Sequence, residues 1–138
     1  MRSRRPLDLV VAAIAGAGVS LFSYVCPAGA AAPPTVSGSI VLVSGGNGSP
    51  CVFTVGYQWA GITAHSVELD VDAPNFTAGT LVMSGLQGRS GSVSGNITIS
   101  DPNMVTYHGF GQILDRRGSP VSGTQVSSDL AGSNQLIC

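Results

Sequence analysis

Apolar and polar residues alternate along most of the chain after its first thirty residues. The clearest run places Cys51, Phe53, Val55, Tyr57 and Trp59 on one side of a segment whose other side is smaller or polar. A period of two residues is typical of a β-strand with one buried face. Similar but shorter runs recur, and together they predict seven strands at 37–43, 51–59, 66–72, 80–84, 92–100, 104–114 and 121–126.

This pattern favours an all-β fold. No segment after residue 30 has an apolar period of 3.6 residues over a useful length, and clusters of Gly, Asn and Pro separate the runs. Seven short strands in about 100 residues predict a single antiparallel sandwich of the immunoglobulin-like type. We expect its core to contain Val55, Tyr57, Val67, Leu69, Ile97, Ile99, Val105 and Tyr107.

Two segments near the end of the sequence resemble the last strands of immunoglobulin-like and fibronectin type III-like domains. These segments are Met104–Tyr107 and Ile113–Gly118. The resemblance implies an immunoglobulin-like sandwich, and it implies that Tyr107 makes the corner hydrogen bond found in such domains. The chain departs from the antibody type, because Gly109 stands where the second core cysteine would be and Trp59 lies on the strand of the first cysteine.

The first thirty residues have the features of a cleaved export signal. A positive start with Arg2, Arg4 and Arg5 precedes an apolar stretch, and small residues at 28–30 suit a signal peptidase. A retained membrane anchor is the alternative, but the apolar stretch is short and interrupted by glycine.

The export signal sets the predicted organisation of the chain. We predict a signal peptide over 1–30, a flexible linker over 31–36 and a β-sandwich domain over 37–138. The mature chain then has no membrane span and is secreted, either to the extracellular space or to the cell envelope. The Ala- and Gly-rich, lysine-free composition indicates a bacterial source.

The charge balance excludes several classes of partner. All six basic residues are arginine and the formal net charge is −1; after cleavage, three arginines face six acids. A chain with this balance has no electrostatic attraction to nucleic acid. We therefore expect no nucleic-acid partner. We further expect a monomer that needs no cofactor and that binds an extracellular protein or a surface ligand.

Cys51 and Cys138 are the two cysteines that remain after cleavage. In an exported small domain they permit one disulfide, which would join the second strand to the C-terminal end. Two free thiols are the alternative. A metal pair lacks the accompanying CxxC or HxxxH spacing.

One predicted strand carries a row of acids, Glu68, Asp70 and Asp72, about 7 Å apart on one face. The simpler interpretation is a solvated face that keeps the sheet soluble and blocks edge pairing. Calcium binding is the alternative, because this ion takes six to eight oxygen ligands, commonly from several loops.

The candidate binding surface lies in the loops. In a sandwich the loops gather at two ends, and the loops after the second and sixth predicted strands share one of them. This arrangement places Trp59 and His65 near Arg116 and Arg117, a set rich in side chains favoured at interface hot spots. The alternative is a buried Trp59 and a solvated hairpin tip.

A non-catalytic binding or structural module is the function these features favour. No reaction centre assembles around His65 or His108, the two imidazoles, which leaves a hydrolase as the least favoured class. A small-ligand carrier or a protease inhibitor is the alternative. The chain is similar in size and low lysine content to the enediyne-carrying apoproteins of actinobacteria, although those have two disulfides, and Arg89 is a candidate bait residue for trypsin-like proteases.

Overall fold

Antiparallel strands account for nearly all of the regular structure. The computed structural model describes residues 33–132 and 135–138, so the predicted signal peptide over 1–30 lies outside the described residues. Across the described ranges, no helix is long and apolar enough to cross a bilayer. The strands are β1 (Thr35–Gly46), β2 (Ser49–Ala60), β3 (Ser66–Ala73), β4 (Phe76–Ser84), β5 (Ser90–Ile99), β6 (Val105–Thr106), β7 (His108–Leu114), β8 (Val126–Asp129) and β9 (Gln135–Leu136).

Seven of these strands build two sheets. Sheet A has the order β1-β2-β5 and sheet B the order β4-β3-β7-β8, while β6 and β9 form a separate two-stranded ladder. Every pairing between the strands is antiparallel. The prediction of an all-β antiparallel fold is therefore confirmed.

The core consists of the inward residues of both sheets. Along β2, burial alternates strictly from Cys51 to Trp59, as the period-two pattern predicts. Seven of the eight predicted core residues are buried, and Val105 is partly buried against the same cluster. The rings of Phe53 and Tyr107 lie with their centroids 5.3 Å apart. Contact between aromatic rings at such a distance adds to the stabilisation from area burial.

The last strand of sheet B begins later than the sequence pattern predicts. The predicted strand at 121–126 is wrong, because β8 covers Val126–Asp129. Pro120 has no N–H for a ladder and Gly123 has a φ of +81°, so the chain first turns across the end of β7. In that turn, the main-chain N–H of Val121 donates to the carbonyl of Ile113 over 2.9 Å.

The corner hydrogen bond expected for Tyr107 is not formed. Its side chain is fully buried, yet within the described residues its hydroxyl has no hydrogen-bond partner. Tyr57 makes a comparable link instead, since its hydroxyl donates to the carbonyl of Thr124 over 2.6 Å. Burial raises the pKa of both phenols, because the charged phenolate is poorly solvated in the core.

The predicted disulfide is present between Cys51 and Cys138. It lies in the core and joins the start of β2 to the residues that follow β9. Nearby, the N–H of Gly48 donates to the carbonyl of Ile137 over 2.8 Å, so the C-terminal segment is also held by the main chain.

Candidate functional site

Three connections meet at one end of the two sheets. Residues 61–65 join β2 to β3, residues 85–89 join β4 to β5, and residues 115–119 form the turn that follows β7. We call these residues together the loop end. The end arises from the antiparallel topology, because strands that run in alternating directions return every second connection to the same side.

Main-chain hydrogen bonds hold the first two connections of the loop end to each other. The outer bond runs from the N–H of Gly61 to the carbonyl of Arg89 over 2.7 Å. Two further bonds connect Ala64 N to Gly88 O and Leu86 N to His65 O, over 3.4 and 3.0 Å. These bonds fix the connection that carries Arg89 against its neighbour.

The third connection is a tight turn closed by Asp115. Its side-chain oxygen accepts from the N–H groups of Arg117 and Ser119 over 2.8 and 2.9 Å. Gly118 has a φ of +84°, a conformation that glycine adopts without steric cost. The turn thus presents Arg116 and Arg117 from a defined backbone.

The loop end carries all three arginines of the described residues. Arg89 donates from Nη2 to the carbonyl of Gly61 over 2.6 Å. The Nε of Arg116 lies 3.3 Å from Nε2 of His65, which accepts this hydrogen bond in the neutral imidazole. In the described part of the chain no guanidinium forms a salt bridge, and the hydrogen bond between Nδ1 of His108 and the carboxylate of Asp129 lies elsewhere. The three guanidinium groups therefore have no carboxylate in direct contact among the described residues.

Of the four residues predicted for this surface, the structure brings three together and separates the fourth. His65 is in contact with Arg116 of the neighbouring connection, and Arg117 follows in the same turn. Trp59 is 4% exposed; its ring packs beneath Gly91 and stacks on Tyr57, so it presents no surface to a partner. Its indole N–H is buried without a hydrogen-bond acceptor in the described residues.

Arg89 is the residue that the sequence analysis did not assign to this end. From the sequence it was only a candidate bait residue for trypsin-like proteases. Counting the predicted strands would have placed it there. The connection after the fourth strand, which carries Arg89, returns to the same end as those after the second and the sixth.

The acidic row on β3 is less solvated than the sequence analysis proposed. Asp70 lies between Thr80 of β4 and Phe110 of β7 and is 7% exposed. Burial raises the pKa of its carboxyl; the nearby charges of Glu68 and Asp72 raise it further, and a hydrogen bond from Thr80 lowers it. A fully solvated acidic face is therefore wrong for its central member.

No metal centre is formed by this row. Among the residues that the structure describes, no three His, Cys, Asp or Glu side chains form a group that could hold a metal ion. Glu68 instead accepts a hydrogen bond from Nε2 of Gln112 over 2.6 Å. The calcium alternative for Glu68, Asp70 and Asp72 gains no support from this geometry.

Asp70→Asn is expected to change how stability depends on pH. A carboxyl whose pKa is raised in the folded state binds its proton more tightly there than in the unfolded chain. Its contribution is therefore favourable at low pH and is lost as the pH rises through the raised pKa. We expect the variant to gain stability relative to wild type between acid and neutral pH, measured by urea unfolding at each pH.

Gln58→Ala on the outer face of sheet A is the control for this prediction, because it changes no titratable group. A stability difference between Asp70→Asn and wild type that is the same at every pH would contradict the prediction.

Two cavities lie away from the loop end. A shallow groove of about 340 Å³ on the outer face of sheet A has Gly56 in its lining together with Ser37, Ser39, Ser92 and Ser94. A smaller one of about 170 Å³ is lined by Ile40, Val41, Leu42, Leu130 and Ala131. Neither is a deep apolar cleft between loops, the feature that would favour a small-ligand carrier.

Comparison with known proteins does not assign this chain to a family. No family model, no curated protein and no solved structure matches this chain.

Proposed function

We propose that this protein is an exported, non-catalytic β-sandwich module that binds an extracellular or envelope partner through the loop end. The observation that carries the proposal is the gathering of Arg89, Arg116, Arg117 and His65 on three connections that are bonded to one another. Loops on a rigid scaffold commonly carry recognition, and arginine is enriched at interface hot spots.

The rigidity of this surface supports a binding role. Ordering mobile loops on association opposes binding, at about 0.5–1.5 kcal/mol for each immobilised side chain. Here the bonds from Gly61 to Arg89 and from Arg117 and Ser119 to Asp115 fix the backbone before a partner arrives. A preorganised loop surface therefore binds with a smaller loss of conformational entropy.

The strand order supports the immunoglobulin-like part of the proposal. An immunoglobulin constant-type sandwich places its first, second, fourth and fifth strands in one sheet and the other three in the second. Since β6 lies in neither sheet, β7 and β8 are the sixth and seventh strands of the sandwich. The grouping is then the same, except that β4 pairs with β3 in sheet B rather than with β5. The disulfide supports export, because such bonds persist in oxidising compartments.

The contacts of Arg89 favour a binding module over a protease inhibitor. Its carbonyl accepts from the N–H of Gly61 and its guanidinium donates to the carbonyl of the same residue. A bait residue has to offer its scissile carbonyl to the protease from an extended backbone. In Arg89 that carbonyl is engaged within the protein by the N–H of Gly61.

Replacing the three arginines together is the test of the proposed function. We expect partners recovered from the culture fluid and the envelope fraction by wild type to fall by at least about tenfold with Arg89→Gln/Arg116→Gln/Arg117→Gln, because three lost charge contacts at about 0.5–1 kcal/mol each amount to roughly 1.5–3 kcal/mol. Gln58→Ala on sheet A is the control and should recover the same partners as wild type. Recovery that is equal for all three proteins, with the circular dichroism of the triple variant unchanged, would remove the loop end as the binding surface.

A further inference from the structure

The charges of the described residues are segregated along the molecule. All three arginines lie at the loop end, and of the six acids only Asp115 does. The carboxylate of Asp115 is already engaged by two main-chain N–H groups of its own turn. The loop end therefore carries three guanidinium groups against one carboxylate, and this excess of positive charge suits an anionic ligand.

The main-chain donors of the turn after β7 leave no site for a compact anion there. A phosphate or sulfate site is usually built from several free N–H groups that point at one place. In the turn, Asp115 takes up the N–H groups of Arg117, Gly118 and Ser119. In this turn, recognition of an anion therefore falls to the side chains of Arg116 and Arg117.

Two of the arginines are anchored at opposite ends of one connection, an arrangement that suits an extended ligand. Arg89 is anchored at Gly61 and Arg116 at His65, the two ends of one connection. The four residue steps from Gly61 to His65 place these anchoring points at most about 14 Å apart. In an extended peptide, side chains on one face repeat about every 7 Å, so acids at alternate positions fall within the same span.

The surroundings favour a polypeptide over a lipid surface. Membrane association through charge takes clusters of about four to eight basic residues, and the loop end has three arginines. Ile62 and Leu86 are half-buried on the same connections and add apolar contact area, which a peptide can use. The chain's own acidic row cannot serve as the ligand, because β3 is paired on both edges within sheet B.

We propose that the loop end binds an extended acidic segment of a partner polypeptide, with carboxylates at alternate positions held by Arg89, Arg116 and Arg117. This inference rests on the proposed function and names the partner of the same surface. Arginine suits this task better than lysine, because its planar fork forms two parallel hydrogen bonds with one carboxylate.

Fluorescence anisotropy with a labelled peptide of alternating Glu and Ser tests the proposal on the folded, disulfide-bonded protein. We expect saturable binding that weakens as salt rises and that is absent for the matched peptide of alternating Gln and Ser. Each of Arg89→Gln, Arg116→Gln and Arg117→Gln should lower the affinity about two- to fivefold, the range of exposed charge pairs. Arg116→Lys should fall between wild type and Arg116→Gln, because it keeps the charge and loses the fork. Gln58→Ala should bind as wild type does.

The other outcomes separate the ligand from the function. Equal binding of the Glu and Gln peptides would overturn the acidic ligand. The loop end would still be upheld as a binding surface if the triple arginine variant failed to recover the partners that wild type recovers. Displacement of the Glu peptide by pyrophosphate at equal charge concentration, or by phosphatidylglycerol vesicles, would also overturn the polypeptide assignment. Binding of the Glu peptide that is unchanged in the triple variant would place the acidic segment elsewhere on the protein.

Discussion

Replacing both cysteines by alanine, Cys51→Ala/Cys138→Ala, is expected to lower the free energy of unfolding by roughly 4–5 kcal/mol. The two residues are 87 positions apart, so the bond closes most of the folded chain into one loop and restricts the unfolded ensemble. Domains of this size are stable by only about 5–15 kcal/mol, so the loss is a large fraction of the total. Urea unfolding followed by circular dichroism measures it.

Reduction of the wild-type disulfide is the control for this prediction. It should reproduce most of the loss without changing any side chain in the sequence. The loss corresponds to a fall in the melting temperature of roughly 15–40 °C, since about 1 kcal/mol shifts the midpoint of a domain of this size by 4–8 °C. Equal stability of oxidised wild type and the double variant would contradict the entropic account.

Gly111→Ala is expected to lower the free energy of unfolding by about 1–3 kcal/mol through overpacking. A methyl group on Gly111 of β7 would lie 2.5 Å from Cδ2 of Tyr57, closer than two carbon atoms can approach. The Tyr57 ring would have to move, and its hydrogen bond to the carbonyl of Thr124 would then be lost in a buried region. Thermal and urea unfolding measure the change.

A double-mutant cycle separates this clash from a general cost of alanine at that position. In the Tyr57→Leu background the smaller side chain leaves room, so Gly111→Ala should cost less than it does in wild type. A cost that is the same in both backgrounds would show that contact with Tyr57 is not its cause.

Some of the fold follows directly from local sequence. The alternation along 51–59 and 66–72 specifies strands with one apolar face, because side chains of an extended chain point alternately to opposite sides. Burial in the structure follows that alternation on β2 and on the inward side of β3. The disulfide was equally accessible to sequence reasoning, since the predicted mature chain has two cysteines and one possible pairing.

Other features depended on pairings between distant segments. Periodicity gives each strand two faces but does not state which strands lie beside it. The burial of Asp70 follows from Thr80 on one neighbouring strand and Phe110 on the other, which lie 10 and 40 positions away in the sequence. The outward face of β3 therefore looked solvated from the sequence and is partly desolvated in the sheet.

The candidate site divides in the same way. The sequence by itself determined that connections rich in glycine carry His65, Arg116 and Arg117, and that strand alternation brings them to one end. Only the tertiary structure decided that Trp59 lies beneath Gly91 in the core and that Arg89 joins this end through Gly61. The reason is that the position of a loop residue depends on the direction and order of all the strands in both sheets, and these are fixed by long-range packing.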